Sequence, residues 1–449
     1  MNKQMLKAGI FALSVVSASV MAKVSPDEAA RLGQDLTPIG AEKAANADGS
    51  IPAWNGGYSN TEVAQERGND PFASDKIQFT ITRDNLDQYR DNLSPGQVAM
   101  FERYPDYKMN VYQSRRTATY PDELWPTIKS NAENTALVAG GNGLENFDLA
   151  VAFPIPANGL EVVWNHITRF RGGKTERLVN QFPVLSNGDY VPVKLREKLV
   201  FPEYLVSGRE AADDNVLFYF LQEVLAPARL TGTVLLVHET INQVKEGRRA
   251  WIYNAGQRRV RRAPNVAYDG PGTAADGLRT SDNLDMYNGA PDKYNWELKG
   301  KKELYIPYNN FKLMDPALSY DEIINEGHMN PDFLRYEKHR VWVVEGTLKD
   351  GERHIYSKRT MYIDEDTWTA SVIDHYDGRG ELWRVAESYN TQFYTRDVPW
   401  MAAEALYDLN SGRYLVLGLA NEESEYMNWD IQPKREDFST NALRRMGIR

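Results

Sequence analysis

Three side chains on neighbouring predicted strands could carry out acid–base chemistry. If Asp350-Gly351 forms a two-residue turn, Glu345 lies opposite Tyr356. A four-residue turn at 364–367 then places Tyr356 opposite His375. A carboxylate orients a histidine and stabilises its charged form, so such a row could transfer protons. The alternative is a polar row on a solvated sheet face, which a shift of one residue in register would break. We favour that alternative and expect no catalytic residues and no enzymatic activity.

A cluster of arginines occupies residues 258–262 of a chain whose net charge is −10. In a strand, Arg259 and Arg261 lie on one face, while Arg258 and Arg262 lie on the other with Val260. Guanidinium groups bind carboxylates and phosphates through paired hydrogen bonds. Arg259 and Arg261 are therefore candidates for holding a ligand head group or an acidic partner. The alternative is a charged strand that protects a sheet edge from pairing.

The chain is rich in aromatic residues, with 10 Trp and 25 Tyr. A concave sheet lined with aromatic side chains can hold an apolar ligand with few polar contacts. Aromatic residues are also ordinary strand formers, so they equally fit a packed core. The candidates for a ligand pocket are Trp251, Tyr253, Trp342, Tyr356 and Trp383.

Several sequence motifs for chemistry are absent. The sequence contains no nucleophile elbow, no phosphate-binding loop and no dinucleotide fingerprint. His238-Glu239 begins like a zinc-protease motif, but Asn242 stands where the second histidine is needed. The chain has no cysteine, so thiolate metal sites and disulfides are excluded. We expect no cofactor and no metal, and the acidic charge balance argues against nucleic-acid binding.

The first residues are typical of a secretory signal peptide. Lys3 and Lys7 precede an apolar stretch from Ala8 to Val20, and small residues follow up to Ala22. We expect cleavage after Ala22 and release into the periplasm. No later segment is long and apolar enough to span a membrane. A lipid anchor on an N-terminal cysteine is also excluded.

The remaining sequence divides into an irregular first part and a strand-rich second part. Prolines and glycines interrupt residues 36–75, and helices are expected at 85–92, 94–103 and 121–138. From about residue 150, β-branched and aromatic runs predict strands at 160–171, 190–201, 230–243, 250–253, 258–262 and 297–306, with one buried helix at 213–225. Short turns then connect four antiparallel strands between 339 and 387, and a short helix is expected after Trp400. The expected domains are a signal peptide at 1–22, a coil and helical segment at 23–150, and a sheet domain at 151–449.

Blocks of sequence along the mature chain resemble a bacterial family of unknown function, DUF1329, whose members are often described as outer-membrane lipoprotein-sorting proteins. The matching blocks are LTPIG (36–40), GSIPAWNGG (49–57), RRTA (115–118), PIP (154–156), WNH (164–166), AWIYN (250–254), QRRVRRAP (257–264) with YD (268–269), VWVVE (341–345) and YIDEDTW (362–368). The resemblance implies a fold like that of LolA, LolB and RseB. That fold is α+β and mainly antiparallel β: a strongly curved, incomplete barrel with helices covering its concave face. It carries no established catalytic residues.

The resemblance and the sequence together predict a non-enzymatic periplasmic carrier. Its cargo would be a lipid, a lipoprotein acyl chain or another hydrophobic molecule, passed toward the outer membrane or an export system. One alternative is an adaptor subunit of a resistance-nodulation-division-type exporter with an outer-membrane companion protein, since genes for such proteins commonly neighbour the family. The other alternative is an enzyme acting on a hydrophobic substrate.

Overall fold

The computed structural model describes residues 24–63 and 67–447. The expected signal peptide and its cleavage site after Ala22 lie outside the described residues. Within these two ranges, no helix combines the length and the apolar character that crossing a bilayer requires.

The helices are short and are distributed along the chain. The α-helices of the described ranges are α1 (Pro26–Ala29), α2 (Pro95–Arg103), α3 (Trp125–Asn134), α4 (Gly159–Thr168), α5 (Tyr320–Ile323) and α6 (Thr440–Gly447). Single 3-10 turns occur at Arg83–Gln88, Arg90–Asn92, Asp122–Leu124, Pro202–Tyr204, Ala211–Asp213, Pro264–Ala267, Ser281–Asn283, Pro291–Lys293, Phe311–Met314, Pro331–Phe333 and Arg435–Phe438. The predicted start of α2 is confirmed: the Ser94 hydroxyl accepts a hydrogen bond from the Gln97 N–H, and Pro95 follows the cap.

The core of the molecule is one large antiparallel sheet. The strands are β1 (Phe79–Ile81), β2 (Met109–Val111), β3 (Ala136–Leu137), β4 (Leu144–Glu145), β5 (Lys174–Val184), β6 (Val193–Val200), β7 (Val216–Ala226), β8 (Val234–Thr240), β9 (Arg249–Asn254), β10 (Arg259–Arg262), β11 (Tyr294–Pro307), β12 (Tyr336–Leu348), β13 (Lys358–Asp364), β14 (Ala370–Tyr376), β15 (Leu382–Phe393), β16 (Val398–Asp408), β17 (Tyr414–Leu419) and β18 (Met427–Asn428). Strands β11 to β17 form a meander, β17 pairs with β5, and β5 to β10 continue the sheet; β3 and β4 form a separate pair. The sheet does not close on itself within the described residues, which confirms a mainly antiparallel, open architecture.

The strands β5 to β9 have two buried faces. The outer face carries Tyr219, Leu236 and Tyr253, which pack with Leu443 of α6. The inner face carries Arg177 and Leu199 among others, and residues 264–293, here called the covering segment, reach it through Leu284 and Asp285. The covering segment connects β10 to β11.

One predicted helix is a strand, and one predicted strand is a helix. Residues 213–225 form strand β7 instead of a buried helix, and residues 160–171 contain helix α4 instead of a strand. Strand β7 is covered on both faces, so its apolar run is continuous and cannot be told from a buried helix by periodicity. Helix α4 is buried over nearly its whole circumference, so it also lacks an amphipathic pattern.

The predicted meander exists, but its register is different. Strand β12 ends at Leu348 and β13 begins at Lys358, so nine residues replace the expected two-residue turn. Glu345 therefore lies opposite Thr360, and His375 lies opposite Arg359. Strand β5 was not expected, and residues after Trp400 continue strand β16 instead of forming a short helix.

Candidate functional site: a buried cavity on the inner face

A small buried cavity lies between the inner face of the sheet and the covering segment. Its volume is about 30 Å³. The lining residues are Arg171, Thr175, Arg177, Glu197, Leu199, Phe218, Phe220, Leu284, Asp285, Asn288, Trp400 and Met401. Alternation along β5, β6 and β7 turns Arg177, Glu197 and Phe220 to this side, because successive strand residues point to opposite faces. Six of the twelve lining residues are apolar, and the other six are polar or charged.

One ion pair crosses two strands of the cavity wall. The Arg177 Nε–H donates to Glu197 Oε2 at 2.7 Å, and Gln222 Nε2–H donates to Glu197 Oε1 at 2.6 Å. Burial lowers the pKa of Arg177, but the Glu197 carboxylate outweighs burial and raises that pKa above its ordinary value. The Arg177 guanidinium also lies 5.3 Å from the ring centre of Trp400. These contacts hold Arg177 charged inside the molecule.

A second cluster joins the end of α4 to the covering segment. Arg169 Nη2–H and Arg171 Nη1–H donate to the two carboxylate oxygens of Asp285 at 2.5 and 2.6 Å. Burial would raise the pKa of Asp285, but the two arginines hold it well below its ordinary value. Burial lowers the pKa of Arg171 to about 10, against the opposing effect of Asp285. This cluster fixes the covering segment over the cavity.

Next to these pairs, Glu404 and Arg279 are buried without good partners. Neither carboxylate oxygen of Glu404 has a hydrogen-bond partner among the described residues, and Glu404 is 0% exposed. Burial and the nearby Asp285 charge raise the pKa of Glu404 to about 8, although Arg279 and Arg177 oppose the shift. Arg279 makes a hydrogen bond of 3.4 Å to Gln181, while its Nε–H has no partner in the described ranges.

Three lining residues of the cavity carry an unpartnered buried polar atom, and so does Gln222 beside Glu197. Within the described residues they include Nε of Arg171, Oε1 of Gln222, Oδ1 of Asn288 and Nε1 of Trp400. Buried polar groups in proteins are normally hydrogen-bonded to protein, water or ligand. A volume of about 30 Å³ admits roughly two water molecules. The cavity can thus receive a polar group of about that size, and it is too small for an acyl chain.

Comparison with known sequences defines the family. The profile described as "Protein of unknown function (DUF1329)" matches residues 80–444. The chain belongs to the DUF1329 family. An uncharacterized protein of Pseudomonas aeruginosa is 60% identical over 452 residues, covering 100% of this chain and 99% of the relative. The resemblance seen in the sequence blocks is therefore confirmed.

Solved structures similar to this DUF1329 protein include one described as an outer membrane lipoprotein-sorting protein domain from Vibrio parahaemolyticus (17% identity, 64% of this chain, 98% of that chain, TM-score 0.43). A DUF1329 family protein from Desulfovibrio piger has 14% identity, covers 60% and 91%, and gives a TM-score of 0.42. A LolA superfamily protein from Nitrosomonas europaea has 12% identity, covers 64% and 100%, and gives a TM-score of 0.38. All three TM-scores are below 0.5, so the fold of the DUF1329 chain is defined by its own strand order and not by these similarities.

The aromatic residues predicted as pocket candidates do not converge in the DUF1329 structure. Trp251 and Tyr253 lie on the outer face beneath α6, on the side of the sheet opposite the cavity. Trp342 stacks on Trp368 at a ring distance of 6.2 Å in another part of the sheet. Of the aromatic side chains that line the cavity, Phe218, Phe220 and Trp400, none was predicted.

Tyr356, Trp383 and His375 do come together, near an anchor of the covering segment. The Tyr356 ring lies 4.4 Å from His375 and 5.6 Å from Trp383. His375 Nε2 is 2.9 Å from the side-chain nitrogen of Asn283, which belongs to the covering segment. Glu345 is on the other face, where it pairs with Lys299 and Lys358. The predicted Glu345-Tyr356-His375 row is therefore not formed.

The arginine cluster forms an exposed edge. Strand β10 is the last strand of the sheet path, and Arg259 and Arg261 are exposed. Their register places them opposite Asn254 and Ile252, so both point to the inner side. Within the described residues neither makes an ion pair, which leaves both guanidinium groups available at the surface.

Proposed function

We propose that this protein is a non-enzymatic carrier of the bacterial periplasm that shelters an apolar molecule between the inner sheet face and the covering segment. The observation that supports this most is the buried cavity, with its six apolar lining residues and its unpartnered buried polar atoms. The signal-peptide pattern in the sequence supports the location. The polar row considered for an enzyme does not exist as a unit. Opening must accompany loading, because an acyl chain needs several hundred Å³.

The charge balance around the cavity favours a cargo with an anionic head group. Arg171 and Arg177 line the cavity together with the carboxylates Asp285 and Glu197. Two further buried arginines lie close by: Arg169 binds the same Asp285, and Arg279 lies near Glu404. Glu404 remains largely protonated at neutral pH because burial raises its pKa to about 8. A carboxylate or phosphate would pair with the excess guanidinium charge and offset its desolvation.

A surface cleft offers a route to the cavity. The cleft has a volume of about 600 Å³ and is lined by Phe393, Tyr426 and Trp429, among others. The Trp429 ring lies 5.8 Å from Trp400, which lines the cavity. Strand β18, which contributes Met427 to the cleft, is only two residues long and pairs with β5. We propose that displacement of β18 connects the cleft with the cavity.

Binding of a brominated fatty acid should quench the fluorescence of Trp400. Bromine quenches tryptophan only at close range, so the wild-type protein should lose intensity on titration. Trp400→Phe should lose a large part of that response, and the remainder comes from Trp429, whose ring lies 5.8 Å from Trp400. Trp342→Phe is the matched control, since it also removes one tryptophan but lies away from the cavity. The methyl ester of the same acid should bind at least tenfold more weakly because it lacks the anionic head.

Equal quenching in Trp400→Phe and wild-type protein would contradict binding in the cavity. Equal affinity for the acid and the ester would contradict the anionic head group but not binding in the cavity. Gentle purification of the native protein, followed by native mass spectrometry and organic extraction, identifies the cargo. A native mass equal to that of the ligand-free protein, together with no uptake of fluorescent lipid, would exclude the carrier function.

A second candidate function is that of an adaptor in an envelope export complex. The exposed guanidinium groups of Arg259 and Arg261 on an open sheet edge support it. In the double variant Arg259→Glu/Arg261→Glu, co-purification with a resistance-nodulation-division-type transporter or its outer-membrane companion should be lost. The control is Lys76→Glu/Lys129→Glu, an equal charge change at exposed sites elsewhere. Unchanged co-purification in the arginine variant would remove this candidate.

A further inference from the structure

A second buried polar cluster lies away from the cavity, where the turn after β13 meets β12. Ligand atoms of His339, Asp364 and Asp366 all lie within 4.8 Å of one another. These residues are 1%, 0% and 3% exposed. The cluster joins residues that are distant in sequence, and neither the cavity nor the carrier proposal uses it.

Two atoms of this cluster are buried and lack a hydrogen-bond partner among the described residues: His339 Nδ1 and Asp364 Oδ1. The hydroxyl of Tyr308 is a third such atom, and the Tyr308 ring stacks on His339 at 3.9 Å. The other oxygen of Asp364 accepts a hydrogen bond from Thr367 at 2.8 Å, which fixes the carboxylate plane. Buried polar atoms without a protein partner are normally satisfied by water or by a bound ligand, so this cluster is a candidate binding site.

The histidine is oriented as a metal ligand would be. His339 Nε2 lies 3.2 Å from Glu337 Oε2, so this carboxylate orients the ring, and Nδ1 faces Asp366 on the other side. Glu337 is itself held by Arg335 at 2.7 Å and by Asn309 at 2.8 Å. A carboxylate on the far nitrogen of a ligating histidine is the usual outer arrangement of a zinc site.

We propose that His339, Asp364 and Asp366 bind a zinc ion. One imidazole and two carboxylates suit zinc, whose bonds to nitrogen and oxygen are about 2.0–2.2 Å long. Ligand atoms of a tetrahedral zinc ion are about 3.4 Å apart. Nδ1 of His339 and Oδ2 of Asp366 are 3.8 Å apart, so only small side-chain movements are needed. Arg116 pairs with Asp366 and keeps its carboxylate in place.

Asp366 is the member of the cluster that borders a neighbouring depression. Asp366 lines a small depression with Trp54, Tyr120 and Trp125. The depression is formed partly by the N-terminal coil, whose carbonyls at Glu42 and Pro52 also accept hydrogen bonds from Arg116. A bound zinc ion would therefore attach this coil and the turn at 364–367 to strand β12.

Zinc alone is the probe. The purified wild-type chain, freed of metal and dialysed against Zn²⁺, should bind one ion per chain by elemental analysis. His339→Gln and Asp364→Asn should each weaken binding at least tenfold, as measured by competition with a chromophoric chelator. Asp374→Asn is the control, because Asp374 is equally buried in β14 and lies outside the cluster. Its affinity should equal that of the wild type.

X-ray absorption of the zinc-loaded wild type supplies a measurement that needs no variant to fold. Imidazole scattering together with oxygen ligands is expected. Absence of stoichiometric zinc, absence of imidazole scattering, or equal affinities of folded Asp364→Asn and wild type would each overturn the site. In those cases water molecules are the hydrogen-bond partners of the unpartnered atoms.

Discussion

Replacing Glu404 with glutamine should make the protein more stable at pH 8 and leave its stability at pH 4 unchanged. Below the ordinary pKa of 4.5, the carboxyl is protonated in both folded and unfolded chains. As the pH rises, the unfolded chain releases this proton first, because burial raises the pKa of Glu404 in the folded chain to about 8. Stability therefore falls between these two values, by roughly 4 kcal/mol. Glu404→Gln removes this loss.

Thermal denaturation of both proteins between pH 4 and 8 measures the effect. Asp374, whose pKa burial raises to about 7, leaves part of the pH dependence in the variant. Glu345→Gln is the control, since Glu345 is only half-buried on the other face and pairs with lysines. Parallel pH profiles for Glu404→Gln and wild type would show that Glu404 is ionised and partnered in solution.

Replacing Asp285 with asparagine should destabilise the protein strongly. The substitution leaves the guanidinium groups of Arg169 and Arg171 buried without their counter-charge. Loss of one partner from a buried ion pair costs about 3–5 kcal/mol. Asp285 also connects α4 with the covering segment, so hydrogen exchange in residues 281–290 should increase. Urea denaturation gives the change in the free energy of unfolding.

The matched control is Asp35→Asn, which breaks an exposed ion pair with Arg31 at 2.7 Å. Exposed pairs contribute little because water and salt screen them, so no measurable change is expected. If Asp285→Asn is as stable as Asp35→Asn, the arginines must be solvated in solution and the cavity must be open. That result would also weaken the argument for an anionic cargo, because solvated arginines need no counter-charge.

Local signals in the sequence were sufficient for several elements. Ser94 followed by Pro95 set the start of α2, because capping depends only on neighbouring residues. The short turns after β13 and β14 fixed an antiparallel meander, since parallel strands require long crossovers. Family membership was also readable, because it rests on blocks of residues in order along the chain.

The register of the meander could not be predicted from local sequence signals. The strong turn sequence Asp350-Gly351 lies within a nine-residue connection, so the strands on either side slide relative to the expected pairing. Because β7 is buried on both faces, its apolar residues do not alternate with polar ones, and this alternation is what distinguishes a strand from a helix in the sequence. In both cases the packing of distant segments decided the outcome.

By itself, the sequence determined the family, the antiparallel class and the residue types that could bind a charged or apolar molecule. Only the tertiary structure decided which of those residues meet. Asp285 is 116 residues from Arg169, and Arg116 is 250 residues from Asp366, so no spacing rule links either pair. Trp251 and Phe220 are both aromatic strand residues, yet they lie on opposite faces of the sheet. The type of each side chain is given by the sequence, whereas a binding site is formed by residues that are distant in sequence and come into contact only in the folded chain.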